Sequence, residues 1–308
     1  MLLLSGPNIA GNEWKYVKEC LDTGWVSSVG AFVTQFENMV AEFAGCKYGV
    51  ATSNGTAALQ IALQLAGVQR NDYVIVPNVT FIASINSIKY TGADPILIDV
   101  DTATWQMDLD LLEDFLKNET SEKDGQLVYR KDGRIVRCIM PVHVLGNICD
   151  MDRLVTLARQ YKLKMVEDST ESLGSYYKGK HTGGFGLMGC FSFNGNKIIT
   201  TGGGGVIVTD NEEMAKKAKH LTTQAKSDPF EYVHDEIGYN FRLVNVLAAM
   251  GVAQMELLPS FITRKKEIDS LYKKELAGVG DIRFQKVEAD VDANCWLFTI
   301  TTEKQKEV

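Results

Sequence analysis

The chain has 308 residues, 45% hydrophobic and 23% charged, which suits one large core with a smaller second unit. Its net charge of −7 and pI near 5.3 come without a basic stripe, which argues against a nucleic-acid reader. No apolar run approaches the length of a membrane span, and Met1-Leu2-Leu3-Leu4 is too short and lacks the basic flank of a signal peptide, so a cytoplasmic protein without a membrane partner is expected.

Along the chain, short β-rich runs alternate with helical patterns. Strands are expected at Tyr48–Thr52, Tyr73–Val76, Ile96–Val100, Ile135–Val144, Lys164–Glu167, Cys190–Phe193 and Gly205–Thr209. Helices are expected at Thr56–Ala66, Phe81–Tyr90, Leu109–Lys117, Met151–Tyr161 and Glu212–Ala225. Apolar runs of this length separated by helices predict a mostly parallel sheet covered on both faces, an α/β fold. The charge-dense stretch from Asn118 to Arg137 mixes both signs, with Lys131-Asp132-Gly133-Arg134 as a hairpin turn. Six scattered cysteines without a CxxC pair read as buried, reduced thiols, and four dispersed histidines suggest no metal cluster. Beyond Gly238 an apolar helix is expected from Val244 to Leu258. Pro259 is expected to break it before a charged helix from Phe261 to about Leu276. That change of texture predicts a large domain over residues 1–257 and the start of a small, incomplete α+β domain over 258–308.

Ligands in open α/β sheets bind at the carboxyl ends of strands, so the residues after each strand matter most. Ser53-Asn54-Gly55-Thr56 opens a helix and can cradle an anion with backbone N–H groups and a hydroxyl. Taken alone, a plain N-cap by Asn54 or Thr56 is the better reading of the same residues, because capping is so common. Asp168 and Glu171 follow the strand ending at Glu167. They suit a metal ligand, a general base or the partner of a protonated heterocycle, and also a capping box. Lys197, in FSFNGNKIITTGGGG (Phe191–Gly205), is an amine beside a strand end, the group that forms a Schiff base when its pKa is lowered. Ser192 alternates with Phe191 and Phe193 and offers a hydroxyl on the other face. Phe81, taken alone, reads as a core aromatic, and Asn240 as a helix cap with Arg242 in a salt bridge.

One cofactor draws on these groups together. Pyridoxal 5′-phosphate needs a lysine for its aldehyde, a carboxylate at its ring nitrogen, a phosphate cradle at a helix start and an aromatic ring on its face. Lys197, Asp168, Gly55-Thr56 with Ser192, and Phe81 supply these in turn.

The same residues carry a resemblance. The collinear motifs SNGTAAL, PNVTFIAS, PVHVLGNICDMDRL, EDSTESLGSYYKGKHTGGFG, FSFNGNKIITTGGGG and GYNFRL resemble the DegT/DnrJ/EryC1/StrS family of sugar aminotransferases, of fold type I. The resemblance runs from about Gly11 to the end of the chain. It implies Lys197 as the Schiff-base lysine, Asp168 as the pyridinium partner, Gly55, Thr56 and Ser192 as phosphate contacts, and Phe81 as the stacking ring. It also places Asn240 at the phosphate of a neighbouring subunit's cofactor, which implies a homodimer with shared sites. Glu171 falls near the cofactor's phenolic oxygen, where many members have glutamine; as a second anion there it must be protonated, turned away or bridged. FSFNGNKIITTGGGG and LTTQAKSDPFEYVHDEIGYNFRL are most similar to the branch that aminates a UDP-4-keto-6-deoxy-N-acetylhexosamine for bacillosamine- and legionaminic-acid-type polysaccharides, with GDP- or dTDP-linked sugars as alternatives. The implied reaction is ping-pong. L-glutamate delivers its amino group first, Lys197 moves the proton, and the keto sugar then takes the amine at C4. Rival readings are a 3-dehydratase, which Lys197 speaks against, a non-catalytic relative, and a metal-dependent hydrolase using Glu167, Asp168 and Glu171.

Overall fold

A computed structural model describes residues 4–228 and 230–306; Met1, Leu2 and Leu3 of the opening apolar run lie outside them. A seven-stranded sheet organises the chain. From edge to edge its strands are Tyr48–Thr52, Gly205–Thr209, Met188–Ser192, Lys164–Asp168, Val136–Ile139, Tyr73–Pro77 and Asp94–Ile98. Gly205–Thr209 runs antiparallel to both its neighbours, and every other pairing is parallel. The α/β fold expected from the sequence is therefore present.

The strands read as continuous apolar runs because both faces are covered. Val74 and Val76 pack with helix Gly55–Leu65, while Ile75 between them packs with helices Leu109–Asn118 and Met151–Gln160. Cys190 and Phe191 divide in the same way. The first joins the side of helix Gly55–Leu65, and the second joins Phe36, Val252 and Leu258 on the opposite face. Strand ends differ from expectation by a few residues. The run Ile135–Val144 yields only Val136–Ile139, since Pro141 has no N–H for the ladder. The run Ile96–Val100 is shifted to Asp94–Ile98. The turn at Lys131–Arg134 is present: Tyr129 N–H reaches the Arg134 carbonyl at 2.8 Å, and Gly133 takes a left-handed φ of 75°.

Two helices were not legible in the sequence. Glu13–Thr23 and Ala31–Phe43 pack on the long helix Asn245–Leu276. That long helix corrects the expected break at Pro259. It continues through the proline, although Pro259 supplies no N–H to the Met255 carbonyl. Ile262, one turn on, seats against Gly174, where a Cβ would come within 2.3 Å of Ile262 Cδ1, and this packing carries the helix past the proline. The division at residue 258 thus falls inside a helix. The same helix contains an 18-residue window with mean hydropathy 1.4, long and apolar enough to cross a membrane by length and composition, contrary to expectation. Half of that window is buried against the rest of the fold, as in a core helix. After it, Arg283–Phe284 pairs with Ile300–Thr301, and Val291–Asp292 adds to the hairpin Tyr176–Tyr177/Lys180–His181.

Candidate active site

Lys197 sits in the turn that follows strand Met188–Ser192, its N–H bonded to the Asn194 carbonyl at 3.0 Å. Its Nζ lies 3.7 Å from Glu171 Oε1, and both side chains are only 12% exposed. On another side, the Trp296 ring centre is 4.2 Å from Nζ. Burial pushes the Lys197 amine below its ordinary value, while Glu171 and Asp168 push it back up. Burial moves Glu171 the opposite way, above the usual carboxylate range. Lys197 and the Leu145 N–H, which donates to Oε2 at 2.8 Å, work against that rise, and Asp168 adds to it. Leu145 reaches this position from a left-handed φ of 59°.

Asp168 ends strand Lys164–Asp168 and is buried. Ser84 Oγ donates to its Oδ2 at 2.6 Å, and the Thr170 N–H reaches its Oδ1 at 3.2 Å. A carboxylate fixed at both oxygens keeps one orientation. Across the sheet end, helix Gly55–Leu65 begins beside Ser192. Asn54 caps it, accepting from the Ala57 N–H at 2.8 Å, so the capping reading holds for Asn54. Capping leaves Gly55 and Thr56 facing the cavity. A Cβ on Gly55 would stand 2.8 Å from Ser192 Cβ, so only glycine lets the helix start approach that strand end so closely.

These groups enclose a cavity of about 180 Å³. Gly55, Thr56, Phe81, Glu171, Ser192 and Lys197 line it, and Asp168 stands behind its wall, two residues before Thr170. Phe81 is 70% exposed at the start of helix Ile82–Tyr90, which removes the core reading for it. Asn240 lies outside the cavity. It neither caps the long helix, whose N-cap is Val244, nor leaves Arg242 in a salt bridge; Arg242 instead donates to Asn240 Oδ1 at 3.2 and 3.3 Å and to Gln224. A larger cavity of about 640 Å³ borders Trp25, Phe32 and Asn245 but contains none of the predicted site residues, so size alone does not mark this site.

Several partners escaped the sequence reading. Ser84, Trp296 and Asn294 come from segments remote from Lys197. Asn294 donates to the carbonyls of Glu171 and Leu173, both at 2.9 Å, and Trp296 donates its indole N–H to the Asn196 carbonyl at 2.7 Å. The C-terminal segment is thereby one wall of the lysine's surroundings. Glu167, weighed as a metal ligand, is spent otherwise: it accepts from the N–H groups of Gly183, Phe185 and Gly186 and from His143 Nε2. The fold does bring His220, Asp235 and Glu236 together at the surface, which dispersed histidines did not suggest, but Lys217 already pairs with Glu236 there. Four of the six cysteines are buried, Cys149 and Cys295 are partly exposed, and all six are free thiols.

A profile of the DegT/DnrJ/EryC1/StrS aminotransferase family matches residues 7–308. The chain belongs to the DegT/DnrJ/EryC1/StrS aminotransferase family. It is 42% identical over 301 residues to the GDP-perosamine synthase of Escherichia coli O157:H7, spanning 98% of this chain and 78% of that protein. The GDP-perosamine synthase of Caulobacter vibrioides is 38% identical over 299 residues, spanning 96% and 76%. Among solved structures, DesV of S. venezuelae in complex with a ketimine intermediate superposes with a TM-score of 0.86 at 29% identity, covering 96% of this chain and 75% of that one. The protein is a pyridoxal-phosphate-dependent nucleotide-sugar aminotransferase of the DegT/DnrJ/EryC1/StrS family. The donor set fits that cofactor: one amine only 12% exposed, a buried carboxylate fixed by hydrogen bonds, a glycine-opened helix start beside a hydroxyl, and an exposed aromatic at the rim.

Proposed function

We propose that the protein transfers the amino group of L-glutamate to the 4-keto carbon of a GDP-linked 4-keto-6-deoxy sugar for surface-glycan synthesis in the cytoplasm. The observation that carries the reading is the buried Lys197, opening into one cavity with Gly55, Thr56, Ser192 and Phe81 and backed by Asp168. The choice of GDP rests on the relatives at 42% and 38% identity, both GDP-perosamine synthases. It replaces the UDP-linked N-acetyl sugar of bacillosamine and legionaminic acid routes as the first reading, which only the motifs around Lys197 and Asn240 favoured.

Bound pyridoxal phosphate supplies the electron sink that lets a proton leave the carbon bearing the amino group. The protein's groups do the rest. Lys197 Nζ would hold the cofactor and, when free, would serve as the base that moves the proton. Asp168, held by Ser84 and the Thr170 N–H, would be the partner of the cofactor's ring nitrogen. The first N–H groups of helix Gly55–Leu65, with the Thr56 and Ser192 hydroxyls, would bind the phosphate at the positive end of the helix. Phe81, at the rim, would stack on the cofactor's ring.

The reading includes a homodimer in which Asn240 of one copy reaches the other's phosphate. Phe230, Tyr232 and Ile237, at 88%, 73% and 83% exposed, support it, because large apolar side chains are left uncovered in the stretch just before Asn240. The test is an absorbance titration with pyridoxal phosphate, then L-glutamate, then GDP- and UDP-linked keto sugars in parallel. Visible absorbance that glutamate bleaches and the GDP sugar restores is expected. Restoration by the UDP sugar alone overturns the nucleotide, and normal turnover in Lys197→Ala overturns the lysine.

A further inference from the structure

The consecutive residues Asn294, Cys295 and Trp296 reach both partners of the Lys197–Glu171 pair. Asn294 is buried, and its amide nitrogen donates to the Glu171 carbonyl at 2.9 Å. Its Oδ1 accepts from the Trp296 N–H at 2.9 Å. Cys295 between them takes a left-handed φ of 53°, a strained conformation that persists only where its surroundings fix it. Trp296 is also buried and is held at several points. Besides the bond to Asn294, Lys265 Nζ donates to its carbonyl at 3.0 Å, and its own indole N–H donates to the Asn196 carbonyl at 2.7 Å. Its ring centre lies 4.2 Å from Lys197 Nζ, inside the range of about 6 Å at which an aromatic face attracts a cation. One fixed side chain thus meets Lys197 at both ends, at the peptide that precedes it and at the amine on its tip. A lysine stem is long and flexible, and without such contacts the amine samples many positions. Glu171 Oε1, 3.7 Å from Nζ, is the charged contact that bounds it elsewhere.

Resting on the reading of Lys197 as the lysine that bonds the cofactor, we propose that Trp296 is the positioning residue for Lys197, its indole N–H fixing the backbone at Asn196 and its ring face holding Nζ in place for attack on the cofactor's aldehyde carbon. The bond made there conserves charge. An ammonium and an aldehyde become a protonated imine and one water; two of the ammonium hydrogens leave with the aldehyde oxygen, and the third stays on nitrogen. The nitrogen is a cation before and after, so the same aromatic face and the same carboxylate suit both forms. Trp296 gives and takes no proton. Its effect falls on the rate at which the bond forms, because a reacting group held in place does not have to be found by search. The phosphate donors, Gly55, Thr56 and Ser192, do not depend on it.

The test follows the growth of visible absorbance when pyridoxal phosphate is mixed with the cofactor-free full chain over a range of cofactor concentrations. The maximal rate reports the bond to Nζ, and the half-saturating concentration reports the cofactor bound before that bond forms. Trp296→Leu is expected to lower the maximal rate about 10- to 100-fold, the effect of misplacing a reacting group, with the half-saturating concentration unchanged. Trp296→Phe, which keeps a ring face and loses the N–H, is expected to fall between Trp296→Leu and the unaltered protein. Urea unfolding identifies any variant that does not fold. An unchanged maximal rate in folded Trp296→Leu, or slow loading that comes only from a raised half-saturating concentration, overturns the proposal and leaves the Lys197 reading intact. If Trp296→Leu does not fold, Trp296→Phe decides, and an unchanged maximal rate in that variant overturns the proposal. Absence of a visible band in the unaltered protein overturns the Lys197 reading and the proposal with it.

Discussion

Replacing Glu167 by glutamine should cost the protein about 3 kcal/mol, although the two side chains have the same shape. Glu167 is fully buried. Its Oε1 accepts from Phe185 N–H at 2.6 Å and Gly186 N–H at 2.7 Å; its Oε2 accepts from Gly183 N–H at 2.8 Å and His143 Nε2 at 3.1 Å. Glutamine has only one acceptor oxygen. Turned toward Phe185 and Gly186, it leaves its amide nitrogen against the Gly183 N–H, and an unsatisfied buried donor costs about 1–3 kcal/mol. The two bonds it keeps become neutral ones, each weaker by about 1 kcal/mol. Swapping the His143 tautomer to suit the new amide gives no relief, because His143 Nδ1 is buried with no partner among the described residues. No longer burying a charge offsets part of the sum, which leaves about 3 kcal/mol out of the roughly 5–15 that hold a folded protein together.

Urea unfolding of the two proteins measures this. With a slope near 3 kcal/mol per molar, the midpoint should fall by about 1 M. A fall of less than about 0.3 M, under about 1 kcal/mol by the same slope, would refute the reasoning. The pH dependence adds a second check. Burial raises the Glu167 pKa, but His143 and the N–H groups of Gly186 and Gly183 outweigh it and hold the carboxyl below its ordinary range. A carboxylate depressed in the folded state stabilises above its unfolded value, about 4.3, and loses that contribution as pH falls through the folded value. The gap between the two proteins should therefore be full at neutral pH and narrow as the solution is acidified below about 4.3.

Three further substitutions separate the parts of the site. Ser84→Ala removes the 2.6 Å donor from Asp168 and should cost about 1.5–3 kcal/mol in urea unfolding, with slower turnover of protein that still loads cofactor; unchanged turnover would mean that Asp168 needs no such support. Phe81→Ala should leave stability within about 0.5 kcal/mol, since the ring is 70% exposed, yet weaken cofactor retention about 2- to 10-fold in equilibrium dialysis through lost stacking. Gly55→Ala sets a methyl 2.8 Å from Ser192 Cβ and should cost about 1–3 kcal/mol in thermal unfolding while raising the cofactor's dissociation constant; retention equal to the unaltered protein would show that the helix start does not touch the phosphate.

Legibility in the sequence followed how local the determining physics is. The central strands could be read because burial on both faces leaves a local trace, as in Val74-Ile75-Val76. Lys197 could be read because an amine between an apolar run and a glycine run has no structural use there. Phe81 was open in either direction until its exposure was known. The helix through Pro259 could not be read, because the contact of Ile262 with Gly174 that sustains it joins residues far apart in the chain. Ser84 and Asp168 are 84 residues apart, and Trp296 reaches Asn196 across 100 residues. None of these partners leaves a local pattern, since each is an ordinary polar or aromatic residue whose role exists only after the sheet has formed. Helices Glu13–Thr23 and Ala31–Phe43 were missed for a similar reason: their buried faces answer to the long helix near the other end of the chain.

The charges of the cavity explain why it is built from pieces so distant in sequence. Among the described residues lining it, Lys197 is the one cation and Glu171 the one anion, with Asp168 behind the wall. A phosphate group entering this space meets no arginine or second lysine in its lining. It has to be held by neutral donors: the amides at the start of helix Gly55–Leu65, the hydroxyls of Thr56 and Ser192, and, in the dimer proposed above, the carboxamide of Asn240 from another copy. A cationic cradle would have competed with Lys197 for Glu171 and Asp168, and would have favoured the neutral amine at all times by repulsion. Neutral donors would bind a phosphate without adding a cation beside the Lys197–Glu171 pair, so the lysine would keep its own counter-ion. That separation requires a glycine where the helix meets the strand, because a side chain on Gly55 would drive the amides away from Ser192.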